Sequence, residues 1–123
     1  MRIQEALAAL DRLVPNAYEN EEKLAWLNEF DAMLYRDVFA EHLPLPEPFP
    51  GYTAQTPLDT ELLLPQAYSQ MYLWLMEMKL CELNGELRRA NNAAAKLNAG
   101  LSAFRNWYHR MHLPRQDALA FRL

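Results

Sequence analysis

The sequence has little of what most active sites and membrane segments require. Its 123 residues include one cysteine, three glycines and three histidines, and its only serines are Ser69 and Ser102. A single cysteine excludes a disulfide within the chain, and three scattered glycines cannot build a phosphate-binding loop. The longest apolar run, Met71 to Met76, is far shorter than the roughly 20 residues that span a bilayer.

These absences argue against secretion and against catalysis. Glu5 and Asp11 interrupt any apolar N-terminal segment of the kind that forms a signal peptide. Nucleophilic catalysis needs an activated hydroxyl or thiol beside an oriented base, whereas Cys81 and both serines fall within predicted helices. We therefore expect a cytosolic protein that is not an enzyme, binds no cofactor and does not enter a membrane.

The net charge of −4 is unevenly divided along the chain. Residues 1–85 contain five basic and fourteen acidic residues, hence −9, whereas residues 86–123 contain seven basic and two acidic residues, hence +5. A basic C-terminal third is compatible with nucleic-acid binding. The division also suits subunits that stack acidic face against basic face, and it is equally compatible with ordinary solvated surfaces.

Apolar residues recur at steps of three and four over four stretches, which predicts an all-α protein, a small helical bundle of about four helices. The first helix contains Ile3 to Val14 and ends before Pro15, because proline disfavours the helical conformation of the preceding residue. The second helix is predicted from about Glu21 to Glu41, the third from Gln66 to Leu83, and the fourth from Glu86 to His112.

Two details of the second helix follow from its residue types. Asn20 is suited to cap its start, because an asparagine side chain can accept hydrogen bonds from the first exposed amides. The solvent-facing residues are expected to be Glu22, Glu29, Asp31, Arg36 and Asp37.

The segment 42–65 breaks the helical pattern with six of the chain's eight prolines. Alternating prolines fix an extended path, so the segment is either a linker or a long ordered loop. Its apolar residues favour a loop that packs on the domain, and these are Leu43, Leu45, Phe49 and Tyr52. Leu62 to Leu64 form either a short strand or an anchor. After the third helix, Asn84-Gly85 is a predicted C-terminal cap, since glycine accepts the left-handed conformation.

The third and fourth helices carry the features that predict subunit contacts. The third is apolar on nearly all sides, which is typical of a helix at the centre of a bundle or between subunits. The fourth has an unbroken apolar stripe with a 3.5-residue period, as in bundles and coiled coils, and its small residues leave space for another backbone. The residues predicted to pack between subunits are Trp74, Leu87, Ala94, Leu97, Leu101, Phe104 and Tyr108.

Histidines and basic residues suggest two other chemistries. His109 and His112 lie three residues apart on one helix face and could supply two metal ligands, but no spacing in the sequence completes a site, so we expect no metal. The arginines and lysine of the C-terminal third provide the charge that phosphate binding requires. However, the cations from Arg88 to Arg110 are not expected to share one helical stripe, and no helix-turn-helix pattern is present.

Several short fragments, in a particular order, resemble one group of proteins. They are Pro15-Asn16-Ala17-Tyr18, Glu22-Lys23 with Trp26-Leu27 and Asp31, Pro65 with Ala67-Tyr68 and Tyr72, Asn84-Gly85-Glu86, Asn91-Asn92, and Tyr108 with His112-Leu113-Pro114. Their order and spacing are similar to those of short all-α head–tail connector (adaptor) proteins, encoded by phages and prophages beside the capsid genes. The likeness covers most of the chain and departs from the group at Ala90, where an aromatic residue is expected.

The resemblance implies a phage structural protein that forms a ring of about a dozen subunits beneath the portal and lines part of the DNA passage. It implies three partners: the portal protein, head-completion or tail proteins, and DNA that passes without sequence-specific binding. It also implies a location in the host cytoplasm during assembly and at the head–tail junction of the virion afterwards.

The chain is accordingly divided into a helical domain, residues 1–113, and a C-terminal docking tail, residues 114–123. The resemblance suggests that this tail reaches the portal. The residues expected to dock on the portal or a neighbouring subunit are Pro114, Leu119, Phe121 and Leu123.

An alternative hypothesis is a small intracellular interaction or regulatory module that binds nucleic acid through its basic C-terminal third. It predicts salt-dependent DNA binding that is lost when Arg88, Arg89 and Arg105 are neutralised. A metal-dependent enzyme would require stoichiometric metal at His109 and His112, which we do not expect.

Overall fold

The computed structural model describes residues 1–115, and within them it confirms a small all-α bundle. Its helices are α1 (Ile3–Leu13), α2 (Asn20–Asp37), α3 (Gln70–Leu83) and α4 (Leu87–Met111). Single turns of 3-10 helix at Phe39–Glu41 and Gln66–Tyr68 follow α2 and precede α3. α3 is the central helix, because it packs along α4 and also contacts α1 and α2.

Asn16 fixes the turn between α1 and α2. Its Nδ2 donates to the carbonyl oxygen of Val14 at 2.8 Å and to Asp11 Oδ1 at 3.1 Å, and its Oδ1 accepts from the amide of Tyr18 at 3.1 Å. These bonds hold the chain in a turn directly after α1, which ends at Leu13, one residue before its predicted end.

Two expectations for α2 are wrong. The helix begins at Asn20, with Glu19 in the cap position and no side-chain capping bond, so Asn20 is not the cap. Asp31 does not face solvent but is fully buried, because donors from other elements satisfy its carboxylate. Lys23 is buried as well, with 2% of its surface exposed.

Gly85 makes the sharp turn between α3 and α4, as the sequence predicts. Its φ is +77°, a conformation that favours glycine. The amide of Glu86 donates to the carbonyl of Cys81 at 2.8 Å, and the amide of Gly85 donates to that of Glu82 at 3.2 Å. This pair of bonds is the usual way in which a left-handed glycine closes a helix, and it lets α4 run back along α3.

The proline-rich segment packs on the bundle as an ordered loop. Of the residues expected to pack, Tyr52 is buried and Phe49 half-buried, whereas Leu43 and Leu45 are exposed. Leu62 and Leu64 are buried as well, so they act as anchors. The end of the loop also bonds to the start of α1, where the amide of Ile3 donates to the carbonyl of Thr60 at 3.0 Å.

A short antiparallel ladder joins this loop to the end of α4. Strand β1 (His42–Leu43) pairs with β2 (Leu113–Pro114), with His42 opposite Pro114 and Leu43 opposite Leu113. The amide of Arg115 donates to the carbonyl of Glu41 at 3.0 Å. The backbone pairing of the bundle therefore extends to Arg115.

Candidate interaction surface

Asp31 is the centre of a buried polar network. Its Oδ1 accepts from the hydroxyl of Tyr72 at 2.7 Å, and its Oδ2 accepts from the hydroxyl of Tyr52 at 2.5 Å and the amide of Leu63 at 3.0 Å. The Tyr72 hydroxyl in turn accepts from the amide of Leu64 at 2.9 Å. One carboxyl group thus ties α2 to the proline-rich loop and to α3.

Burial dominates the electrostatics of this network. It raises the pKa of Asp31, and this effect outweighs the three hydrogen bonds that lower it. Burial likewise raises the pKa of Tyr52 and Tyr72, so both hydroxyls keep their protons and remain donors. Because Asp31 is 0% exposed, the network holds the fold together and offers nothing to a ligand.

A second charged contact joins α1 to α2. The Nζ of Lys23 lies 2.8 Å from Oδ1 of Asp11, whose side chain is half exposed. The hydrogen bond from Lys23 is the main reason that the pKa of Asp11 lies below its usual value. This ion pair explains how a lysine inside the fragment Glu22-Lys23 is buried: its ammonium group reaches a partner at the surface.

The histidines lie at the end of the molecule where β1 meets β2. His42 Nδ1 is 2.7 Å from the carbonyl oxygen of Val38, and His42 Nε2 is 3.2 Å from His109 Nδ1. A carbonyl only accepts, so Nδ1 of His42 carries a proton, and in the neutral pair His109 donates to Nε2 of His42. His109 therefore pairs with His42, whereas His112 bonds to the carbonyl of Tyr108 at 3.1 Å.

These histidines do not converge with other potential ligands. Among residues 1–115, no three side chains of histidine, cysteine, aspartate or glutamate are arranged so that they could hold a metal ion. The role that the structure gives His42 is to fasten β1 to α4.

Aromatic rings fill the space behind this fastening. The ring of Phe39 lies 4.9 Å from that of Tyr108, and the ring of Tyr108 stacks on His112 at 3.8 Å with an interplanar angle of 9°. Tyr68 adds an edge contact to Phe104 at 5.2 Å. The end of α4 is thereby held rigidly against the turn that follows α2.

The outer side of the ladder is apolar and exposed. Leu43 and Leu113 are direct partners in the ladder, which places their side chains on the same side of it. They are 39% and 72% exposed, and Met111, two residues before Leu113, is 63% exposed. We call Leu43, Met111 and Leu113 the apolar end patch.

Of the predicted docking residues, one lies next to this patch in the sequence. Pro114 is half-buried in β2, directly after Leu113. Leu119, Phe121 and Leu123 lie outside the described residues.

The seven residues predicted to pack between subunits differ in how exposed they are in the structure. Those buried in the core of the chain itself are Leu97, Phe104 and Tyr108. Those half-buried are Trp74, Ala94 and Leu101. Leu87 alone among the seven is largely open, with 64% of its surface exposed.

The close approach predicted at the small residues of α4 occurs within the chain. A Cβ added to Gly100 would lie 2.8 Å from Cγ of Met71 and 3.2 Å from the ring of Trp74, so Gly100 fits against α3. By contrast, Ala95 and Ala99 face solvent.

The exposed side of α4 is cationic. Residues of an α-helix advance by 100° each, which places Arg88, Lys96 and Arg110 within about 80° of one another. The whole set of cations from Arg88 to Arg110 does not share one stripe, because Arg105 lies on another side of the helix. No acidic residue occurs in α4. We call Arg88, Lys96 and Arg110 the α4 cationic face; the exposed neutral residues around them are Asn92, Ala95, Ala99, Ser102, Ala103 and Asn106.

The N-terminal part of the exposed side of α2 carries charge of the opposite sign, and Arg36, which continues the same stripe, pairs with Asp37. Glu22 and Glu29 are exposed and lie seven residues apart, hence within about 20° on one face of the helix. Ala25 lies between them and is exposed. We call Glu22 and Glu29 the α2 acidic row.

Sequence reasoning places Glu22 and Glu29 at the surface, where they lie, but misses the α4 cationic face and the histidine fastening. The α4 cationic face can be found by placing charges, rather than apolar residues alone, on a helical wheel. The contact between His42 and His109 spans 67 residues of sequence, and no local pattern indicates it.

The chain matches no known protein-family model, no curated protein and no solved structure. No helix within residues 1–115 is both long enough and apolar enough to cross a membrane.

Proposed function

We propose that this chain is a structural adaptor of a phage or prophage particle, which forms a ring beneath the portal and takes part in the DNA passage. The observation that carries the proposal is the apolar end patch, which adjoins the point where the chain continues into residues 116–123. Exposed apolar side chains that lie together commonly mark a protein contact. The resemblance of the fragments to head–tail connectors supplies the identity of the partner.

The local structure suits a docking site. The patch is carried by β1, β2 and the last residue of α4, and the His42 fastening and the aromatic rings hold these elements together. A rigid site loses little conformational freedom when a partner binds. The net charge of −4 per copy also favours a passage through which DNA moves without being retained, because like charges repel.

The proposal is tested by retention of the purified protein on assembled rings of the portal protein encoded in the same genome. Three variants accompany the full chain: Leu113→Ser, a truncation that removes residues 116–123, and Leu58→Ser as a control. Leu58 is also exposed, at 50%, but it lies in the proline-rich loop. Burying one leucine side chain contributes about 2 kcal/mol, which corresponds to about 30-fold in Kd.

We expect the full chain and Leu58→Ser to bind alike, Leu113→Ser to bind about 30-fold more weakly, and the truncated chain to lose retention. Failure of the full chain to bind portal rings would overturn the proposed function. If the Leu113→Ser chain and the truncated chain are both fully retained, neither the apolar end patch nor residues 116–123 are needed for binding to the portal.

The α4 cationic face favours a second candidate, a nucleic-acid-binding module. Three cations on one exposed face, with no acid in the same helix, are the kind of surface that contacts phosphates. This candidate predicts a salt-sensitive mobility shift of duplex DNA that disappears in an Arg88→Glu/Lys96→Glu variant, without retention on portal rings.

A further inference from the structure

We infer that neighbouring copies of this chain meet through two different faces: the α4 cationic face of one copy docks on the α2 acidic row of the next. The inference rests on the proposed function, which requires copies to associate, and it names the surfaces that do so.

The first argument is that these charges have no partners within the structure. Among residues 1–115, Arg88, Lys96, Arg110, Glu22 and Glu29 form no ion pair. Other charged side chains nearby do pair within the chain: Arg89 lies 2.9 Å from Glu77, and Arg36 lies 2.9 Å from Asp37. The two faces therefore keep uncompensated charge of opposite sign available to a second molecule.

The second argument is the spacing of the charges. Arg88 and Lys96 are eight residues apart, or about 12 Å along α4, and Glu22 and Glu29 are seven residues apart, or about 10 Å along α2. The difference of about 2 Å is within the reach of long, flexible side chains. Two cations on α4 can thus meet two carboxylates on α2 at once.

The third argument is that small residues are exposed beside the charges, while Asn92 and the half-buried Trp26 lie between the charges of each pair. The small residues Ala95 and Ala99 are exposed beside the α4 cationic face, and Ala25 is exposed within the α2 acidic row. Packed helices lie 8–10 Å apart according to the side chains at the contact. Alanine on both helices permits the close end of that range, at which the surrounding charges are partly removed from water and attract more strongly.

The resulting contact is heterologous, because each copy offers a different face to each neighbour. Such contacts form closed rings when the rotation between copies closes, and open filaments when it does not. The face and the row lie on different helices, each of which packs on α3, and the inference requires one copy to use both at the same time. Acidic groups of a second copy and the phosphates of DNA share the chemistry that the α4 cationic face would bind, and a charge-exchange experiment separates them.

The experiment reverses each face separately and then combines the variants. Variant A is Arg88→Glu/Lys96→Glu, so both of its faces are acidic; variant B is Glu22→Lys/Glu29→Lys, so both are basic. Association is measured by sedimentation velocity in solution and on portal rings. A charge-matched control, Arg12→Glu/Arg105→Glu, alters exposed cations outside the α4 cationic face, and circular dichroism verifies that every variant is folded.

We expect variants A and B to associate at least about tenfold more weakly than the unmodified chain when each is alone, because like charges face each other. An equimolar mixture of A and B regains association, since each acidic α4 face then meets a basic α2 row and the reverse. The control associates like the unmodified chain. Binding of DNA by the α4 cationic face would not restore association when A and B are mixed.

The other outcomes overturn the inference. Unchanged association of A and of B, or a loss in both that the mixture does not restore, means that copies meet elsewhere. If the unmodified chain does not associate either in solution or on portal rings, copies do not form the inferred contact. Restored association in the mixture without any binding to portal rings would instead leave the contact in place and sink the proposed function.

Discussion

Asp31 belongs to α2, yet its hydrogen-bond donors come from α3 and from the proline-rich loop. Replacing Asp31 with leucine leaves two tyrosine hydroxyls and one amide buried without an acceptor. We expect the free energy of unfolding to fall by about 3 kcal/mol for Asp31→Leu, and by about 1–2 kcal/mol for Asp31→Asn, which keeps one oxygen acceptor. Urea denaturation measures both, and Glu29→Gln on the exposed side of α2 serves as the control.

Because the pKa of Asp31 is raised in the folded chain, the stability of the fold depends on pH through this residue. An acid whose pKa is higher in the folded than in the unfolded state stabilises the fold fully below its unfolded pKa, about 3.9 for aspartate. That contribution is lost as pH rises through the folded pKa. The unmodified chain should therefore gain stability relative to Asp31→Asn as pH falls towards about 4. A difference between the two proteins that stays constant over this range would show that Asp31 does not titrate in it.

At the scale of elements, the ladder between β1 and β2 depends on side chains that lie outside it. His42 fastens β1 to α4 through His109 and bonds to Val38. We expect His42→Ala to open the ladder locally, at a cost of about 1–2 kcal/mol, while the pairing of α3 with α4 persists.

Hydrogen exchange measures this effect directly. The amide of Arg115, which donates to Glu41 in the folded chain, should lose protection in His42→Ala, and amides in the middle of α3 should keep theirs. Asn106→Ala is the control, because Asn106 is an exposed residue of α4 outside the ladder and its aromatic backing. Equal loss of protection in α3 would show that His42 supports the whole bundle rather than one element.

The elements that the sequence predicts well are those with local causes. The periodic apolar spacing of α1 and α4, the proline after Val14 and the glycine at residue 85 each act over a few residues, and the corresponding helix ends lie close to their predicted positions. α2 ends at Asp37, four residues before its predicted end, and a 3-10 turn follows. Two-residue strands such as β1 and β2 are too short to leave a periodic signal.

The candidate site is less accessible to sequence reasoning for a physical reason. Asp31 looks like a solvent-facing acid by residue type alone, although its neighbours on the helix, Leu27 and Leu34, are apolar. The amide that satisfies its carboxylate, that of Leu63, lies 32 residues away. The apolar stripe of α4 predicts packing between subunits, but periodicity alone does not distinguish a neighbour in the same chain from one in another. Leu97 and Phe104 are covered by the chain's own core, and the free surface of α4 carries charge instead.

At the scale of the whole molecule, association through charged faces predicts a distinct response to salt. Exposed charges are screened over about 10 Å at 0.1 M ionic strength and over about 3 Å at 1 M. We expect self-association of the unmodified chain to weaken steeply with added salt. The free energy of unfolding of one copy should change by less than about 1 kcal/mol, because its own surface ion pairs contribute little. Sedimentation at several salt concentrations, with parallel urea denaturation, distinguishes this from association through apolar surfaces, which salt does not weaken in this way.

The separation in sequence between His42 and His109, 67 residues, sets an order of events as the chain folds. Contacts between α3 and α4 cross only the turn at Gly85, and local contacts of this kind form fastest. The ladder must close a far longer loop, which costs more chain entropy. We therefore expect the helical hairpin to form first and the ladder last. Leu43 and Leu113 come together only in that final step, so a half-folded chain would lack the surface that we propose meets the portal, and folding would itself act as a check on which copies can assemble.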